Sequence, residues 1–249
     1  MESQTLKYAR MLGDASGGWR TESSAITESA QTFDNVTLTA QSWALLTRIS
    51  RELLADGENI DAALMNSFAA GAALGIDAAI LYGTGTAPMP RGITNTSGIQ
   101  SVSMGTNGGQ LLTTAGWSKM LDAVAALEGA NLGTVSAMIM APRTARQIYG
   151  FVDTTGQPLT VPPRLAGIPI LTTTAASVTE TQGTSGAVAS SILLGDFSQV
   201  ILGLRNSLQI SVLNERYADT GQIGFVSWIR ADVLVARPAA LARIIGILP

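Results

Sequence analysis

The sequence predicts an α+β fold, and three observations carry that expectation. Apolar residues recur at every fourth position as Ile60, Leu64, Phe68, Ala72, Ile76 and Ile80, which marks one long helix. Short apolar and β-branched runs at 135–140, 168–171, 191–194, 208–213 and 222–235 mark strands set among helical stretches. Hydrophobic residues make up 46% of the 249, aromatics 5% and charged residues 13%. The core is therefore aliphatic, and charge is about half the usual ~25%. So few charges on a chain of this size imply that other chains cover part of its surface.

In chain order, residues 1–18 lack periodicity and end in Gly17-Gly18, which predicts an arm. Residues 19–40 are rich in Ser and Thr. Their ends, Trp19-Arg20-Thr21-Glu22 and Phe33-Asp34-Asn35-Val36-Thr37-Leu38-Thr39, favour extended chain, so a long hairpin is expected. Two strands alone are marginal in water, and such a hairpin needs a surface to lie on. Residues 43–54 read as a bridging strand and a helical turn. Asp56-Gly57-Glu58-Asn59 offers caps, Asp56 foremost, for a helix of about 22 residues and about 33 Å that Gly83 stops. A Gly-rich loop follows at 83–92, then a polar stretch to residue 114. Residues 118–127 have helical period. Pro142 stands at the first position of a short helix that Gly150 closes. The small, polar tract 172–189 predicts a mobile surface loop, and Pro238 ends the last strand. Residues 113–213 thus read as a compact middle inserted between two segments of long elements.

The composition also excludes chemistry. Without cysteine there is no disulfide, thiol nucleophile or thiolate metal site. Without histidine the usual general base and the commonest metal ligand are missing. The loop at 83–92 follows a helix and has no lysine, so it cannot act as a phosphate-binding P-loop. The acid pairs Glu22 with Glu28, and Asp153 with Asp196, read as solvated carboxylates, since nothing near them raises a pKa for acid catalysis. Fifteen cations against eighteen anions give a net charge of −3, with no basic run that would form a nucleic-acid groove. Thirteen of the cations are arginine, the residue suited to fixed contacts at interfaces. Residues 60–82 are the best membrane candidate, but Asp61, Asn66 and Asp77 interrupt them and their apolar residues are mostly Ala. The chain is read as soluble, with no apolar leader in residues 1–18, no membrane partner, and no catalytic, metal or cofactor residue.

The order of motifs resembles a known family. Trp19-Arg20-Thr21-Glu22, Phe33 to Leu38, and Ile49-Ser50-Arg51-Glu52-Leu53-Leu54-Ala55-Asp56 resemble the start of the capsid domain of tailed-bacteriophage major capsid proteins. The long helix ending Ala78-Ala79-Ile80-Leu81-Tyr82-Gly83-Thr84-Gly85-Thr86, followed by Pro90-Arg91-Gly92-Ile93, resembles that family's spine helix and next loop. Met140-Ala141-Pro142-Arg143-Thr144, Leu165-Ala166-Gly167-Ile168-Pro169-Ile170, Leu194-Gly195-Asp196-Phe197-Ser198 and Trp228-Ile229-Arg230-Ala231-Asp232 continue the match over about residues 19–243.

The resemblance implies a Hong-Kong-97-type capsid fold. Residues 1–18 would be the N-terminal arm and 19–40 the extended E-loop. Residues 41–112 and 214–249 would form the peripheral domain with the spine helix, and 113–213 the axial domain. It implies a non-enzymatic subunit that assembles into pentamers and hexamers around double-stranded DNA, without sequence-specific contact, in a virion assembled in a host cytoplasm. Partners would be copies of itself, with scaffold, portal and decoration proteins. Subunit-interface candidates are Trp19, Glu22, Phe33, Val36, Arg51, Glu52, Arg230 and Asp232. The alternative is an encapsulin-like shell of the same fold, filled with protein cargo. Two departures stand out. Nothing resembles the charged scaffolding segment of many relatives. Residues 13–40 also hold no lysine, so the E-loop isopeptide that some relatives form is not expected.

Overall fold

A computed structural model describes residues 1–13, 15–26, 28–111, 113–131, 134–153 and 155–249. Two strands, β1 (Thr5–Gly13) and β2 (Thr32–Thr39), pair antiparallel into a hairpin with Thr5 opposite Thr39 and Met11 opposite Phe33. The second arm is the expected one. The first is not: residues 19–22 form no strand, and Thr5–Gly13, read from sequence as arm, takes their place. The physical reason is alternation. Leu6, Tyr8 and Arg10 share a face with Leu38, Val36 and Asp34, and Arg10 pairs with Asp34 at 3.0 Å. The shift also places Lys7 in the hairpin, opposite Thr37 near its base.

Ala40 alone separates β2 from β3 (Gln41–Ser50). Then come α1 (Arg51–Asp56) and α2 (Ile60–Tyr82). Asp56 proves to be the last residue of α1 and not a cap of α2. Asn59 precedes α2 in a left-handed conformation, φ 68°, with no side-chain cap bond. The inner face of β3 packs on α2, and Gly75 leaves room for the Trp43 indole, which a Cβ would meet at 2.5 Å. Phe68, 2% exposed, lies 6.4 Å ring to ring from Phe225.

The remaining elements are β4 (Gln100–Ser103), β5 (Gly109–Gln110), α3 (Thr113–Gly129), β6 (Ala137–Met140), α4 (Pro142–Tyr149), α5 (Pro163–Ala166), β7 (Ile170–Thr172), β8 (Ser190–Gly195), β9 (Val200–Leu213), β10 (Gln222–Val235) and β11 (Leu241–Leu248). Pro142 opens α4 and Gly150 caps it, as its sequence requires. One sheet runs β3-β10-β9, antiparallel throughout. The other runs β4-β11-β8-β6-β7, with β5 beside β11.

These sheets do not follow the expected 113–213 boundary. β9 leaves the middle for the first sheet, while β4, β5 and β11 join the second from outside it. The cause is β8, whose six residues are all buried. A strand covered on both faces in mid-sheet needs a neighbour on each edge, and β6 supplies one and β11 the other. On one side Ile192, Leu194, Ile244 and Ile247 pack with Met120 and Val124 of α3, over an edge-to-face pair of Trp117 and Phe151 at 5.1 Å. On the other, Leu193 joins Leu81, Ile93, Val235 and Leu241, which fastens the end of α2 to the sheet.

A polar chain reinforces that junction. Glu180 pairs with Arg243 at 2.8 Å and accepts from the Ser191 hydroxyl at 2.8 Å. Ser191 also lies 3.1 Å from the Tyr82 hydroxyl. Burial pushes the Tyr82 phenol above its ordinary pKa, and the Ser191 bond offsets this only in part. Glu180 belongs to the tract 172–189, expected to be a mobile loop. The tract is instead tied down: Glu180 and Ala189 exchange two backbone bonds of 2.9 Å, Ala176 and Ala189 are buried, and the Thr184 N–H donates to Asn107 at 3.2 Å.

Candidate subunit-interface surfaces

The hairpin is anchored at one end and bare at the other. At its base Leu38 and Ala40 are buried, and the Ala40 N–H donates to the Gln4 carbonyl at 2.9 Å. The Thr39 N–H donates to the Asp232 carboxylate at 2.5 Å, and the Val233 N–H donates to its other oxygen at 2.8 Å. Arg230, two residues earlier on β10, donates to the Ala40 carbonyl at 3.2 Å. Burial holds the Asp232 carboxyl above the ordinary carboxylate range, against the pull of these two N–H donors. The sequence suggests Arg230 and Asp232 as subunit-interface residues. Within the chain they have an internal role, since together they grip the two residues where the hairpin joins the body.

Farther out, apolar side chains lose cover. Val36 is half-buried, while Leu6, Tyr8 and Phe33 are exposed. The tip closes on itself through the Ser16 N–H to the Ser29 hydroxyl at 2.8 Å, and Arg20 donates to the Ser24 carbonyl at 2.7 Å. Trp19 is 106% exposed, and Ile26 and Glu22 are also solvent-facing. An isolated hairpin with these residues at its end has no packing partner in its own chain.

Arg51 and Glu52 form a separate place. Both are exposed on α1, where Arg51 donates to the Asn214 carbonyl at 3.2 Å. Beside them Tyr217 has the Arg48 and Arg216 guanidinium groups 5.9 and 5.5 Å from its ring centre. The eight candidates thus divide among the hairpin, its base and the α1 corner.

Sequence reading missed two apolar surfaces. On the sheet face away from α2, Trp228 is 49% exposed beside Ala44, with Leu46 opposite Val226. On α2, Met65 and Leu74 are exposed, as are Ala62, Ala63, Ala69, Ala70 and Ala73. The available signal was a helix apolar nearly all round, which should be buried. Residues Ala62–Tyr82, with mean hydropathy 1.5, are by length and composition sufficient to cross a membrane.

The loop after α2 forms a groove with the hairpin base. The Gly92 N–H donates to the Gly83 carbonyl at 2.9 Å and the Gly85 N–H to the Pro90 carbonyl at 3.1 Å, which folds residues 83–92 tightly. Gly85, at φ 76°, lies under the Arg91 side chain, where a Cβ would meet it at 2.8 Å. The groove is about 430 Å³ and is lined by Arg10, Thr37, Asp232, Met89, Pro90 and Arg91, among others. The expected solvated carboxylates Asp153 and Asp196 both sit below their ordinary pKa, held there by hydrogen bonds foremost from Thr155 and Ser198. Neither is poised as a general acid. Among the described residues no cluster of three or more acidic side chains could hold a metal ion.

The hairpin, long helix and two sheets form a fold that solved structures share. The chain is 22% identical to the structure titled "Capsid of native GTA particle computed with C5 symmetry", with TM-score 0.74 over 99% of this chain and 86% of that one. It is 14% identical to a Mycobacterium phage Adephagia structure, with TM-score 0.73 over 100% of this chain and 86% of that one. The corresponding empty GTA particle gives TM-score 0.76 at 22% identity, over 99% and 86% of the two chains. No curated protein matches the sequence. The sequence model of the phage capsid family matches residues 1–245, and the chain belongs to that family. It is a structural protein of a capsid shell.

Proposed function

We propose that this chain is the major subunit of an icosahedral shell of pentamers and hexamers enclosing double-stranded DNA. In this reading the hairpin of β1 and β2 is the E-loop, α2 is the spine helix of a peripheral domain, and the second sheet with α3 and α4 is the axial domain. Its work is burial of surface between copies. The observation that carries the reading is the hairpin: anchored at Asp232, apolar along one face, and ending in a Trp19 that its own chain leaves bare. The exposed apolar side of α2 and the Trp228 face add area of the kind that subunit interfaces bury. With a net charge of −3 the lining would not grip DNA tightly. Electron microscopy of the purified chain, with absorbance at nucleic-acid and protein wavelengths, tests this. Closed shells are expected, with DNA when produced during infection. A persistent monomer by light scattering at micromolar concentration would overturn it, and shells filled with protein and free of nucleic acid would favour a cargo compartment.

A further inference from the structure

We infer that Asn107 is a site of spontaneous deamidation in the folded chain, and that residues 182–184, which lie against it, set the rate. Asn107-Gly108 is the only asparagine–glycine pair in the sequence. A glycine after asparagine leaves its main-chain nitrogen open to the side-chain amide, because no Cβ stands in the way. The other asparagines are followed by Val, Ile, Ser, Thr, Leu or Glu, whose side chains crowd the same approach. The reaction consumes only water. The Gly108 nitrogen gives its proton to solvent and attacks Cγ of Asn107, the Cγ–Nδ2 bond breaks, and the amide nitrogen leaves as ammonia. Water then opens the cyclic imide at either carbonyl. The residue ends as aspartate or, with the main chain rerouted through Cγ, as isoaspartate. Nothing is oxidised or reduced.

Asn107 is exposed to water in the turn that joins β4 to β5. The Gly108 N–H closes that turn on the Gly105 carbonyl at 3.2 Å, with Gly108 at φ 79°, a conformation that glycine takes without strain. Both reacting groups are therefore held. The nitrogen is tied to Gly105, and the Asn107 Oδ1 accepts from the Thr184 N–H at 3.2 Å. Gln182 Nε2 donates to the same Gly105 carbonyl at 3.4 Å. Gly183 lies so close on Thr106 and Asn107 that it has no room for a Cβ. The covering segment is pinned in turn by Ser185, whose hydroxyl accepts from the Gln182 N–H at 2.8 Å. These are surface hydrogen bonds over few apolar contacts, so the turn opens locally without unfolding the sheet beneath it. Attack takes place in those openings, when Thr184 releases the amide and Gly105 releases the nitrogen. The two products then differ. Aspartate keeps an oxygen for the Thr184 N–H. Isoaspartate lengthens the main chain by one methylene, and Gly183 on one side with Gly246 against Gly108 on the other leaves no space for it. Isoaspartate therefore parts residues 182–184 from the turn.

The full chain, folded and in parallel unfolded in urea, is aged in mildly alkaline buffer. Peptide mass spectrometry with enzymatic methylation of isoaspartate follows residue 107. The folded chain should convert at Asn107 ahead of every other asparagine, and roughly tenfold or more slowly than the unfolded chain, because it waits on local opening. Thr184→Pro removes the donor to Asn107, and Ser185→Ala frees Gln182. Each should speed the folded-state reaction by roughly fivefold, the weight of one hydrogen bond. Urea unfolding checks that the variants fold, and Ser185→Ala carries the test where Thr184→Pro does not. Asn107→Gln should leave the turn unmodified over the same period. A folded chain that keeps its amide at 107 while the unfolded chain converts fully would overturn the site. Equal rates in the folded and unfolded chains, or a folded Ser185→Ala variant converting at the wild-type rate, would overturn the control by residues 182–184.

Discussion

Truncating Trp19 separates folding from assembly more cleanly than any other single change. Because Trp19 is 106% exposed and lies in no strand, Trp19→Ala removes no packing from the folded chain. The unfolding midpoint should therefore move by less than ~0.5 kcal/mol equivalent, as for ordinary surface substitutions. An indole buries about 150–250 Å², and at ~25 cal/mol per Å² half of that area is worth roughly 2–3 kcal/mol per contact. At ~1.4 kcal/mol per tenfold, the concentration threshold for assembly should rise roughly 30- to 150-fold. Static light scattering across a dilution series measures the threshold, and thermal or urea unfolding of the unassembled chain measures the fold. An unchanged threshold together with an early-melting monomer would refute the reasoning, because Trp19 would then serve its own chain.

Arg243→Met should destabilise the fold by about 2–3 kcal/mol, somewhat below the ~3–5 of a fully buried broken pair, because Arg243 and Glu180 keep 22% and 15% side-chain exposure; urea unfolding checks it, and no change would show the pair to be idle. Deleting residues 174–188 should abolish soluble folded protein, since the tract holds Glu180 and covers β8; shells formed by the deletion chain would contradict the tight anchoring. Asp232 has its carboxyl raised by burial, so the folded state holds its proton more tightly than the unfolded state. Its contribution to stability is present below the unfolded pKa and fades as pH rises through the folded one. The stability of wild type relative to Asp232→Asn should therefore improve as pH falls from about 7 toward the unfolded carboxylate range near ~4; a flat difference across that scan would mean Asp232 titrates normally. Particles boiled in denaturant should run as single 25.8 kDa chains. Lys7, the hairpin's only lysine among the described residues, lies near its base opposite Thr37 and not at its tip. Covalent ladders would show that it reaches an acceptor all the same.

Where the pattern was local, the sequence was legible. The fourfold apolar repeat predicts α2 nearly to the residue, and Pro142 with Gly150 brackets α4. Phe33 to Thr39 alternates, and it is a strand. What stayed hidden depends on partners distant in sequence. Leu241–Leu248 reads as an unbroken apolar run with one Arg and one Gly, and only its place between β4 and β8 makes it a strand. Residues 5–13 read as an aperiodic arm, because the alternation of Leu6, Tyr8 and Arg10 has meaning only against their partners Leu38, Val36 and Asp34 on β2. The Ser- and Thr-rich composition of 172–189 suggests mobility because its one decisive residue, Glu180, finds its counter-ion on β11. Arg230 and Asp232 sit within a motif of the resemblance, yet their contacts are to Thr39 and Ala40, where β2 passes into β3, nearly two hundred residues away in sequence.

The distribution of burial explains why a chain with 13% charged residues need not collapse into aggregates before it assembles. The second sheet with α3 is a conventional core, closed on both faces by its own chain. The first sheet and α2 are covered on one side only, and the hairpin is anchored at one end only. Folding and association therefore draw on different surfaces. A mutation at Ile192 or Leu194 should act on the monomer, and one at Trp19, Trp228 or Leu74 on the shell. The anchors of the hairpin to the first sheet are polar and directional: Asp232 to Thr39 and Arg230 to Ala40. Hydrophobic contact alone tolerates sliding, whereas hydrogen-bonded carboxylates and guanidinium groups fix an angle. At the hairpin's base these bonds fix the angle at which β1 and β2 leave the body.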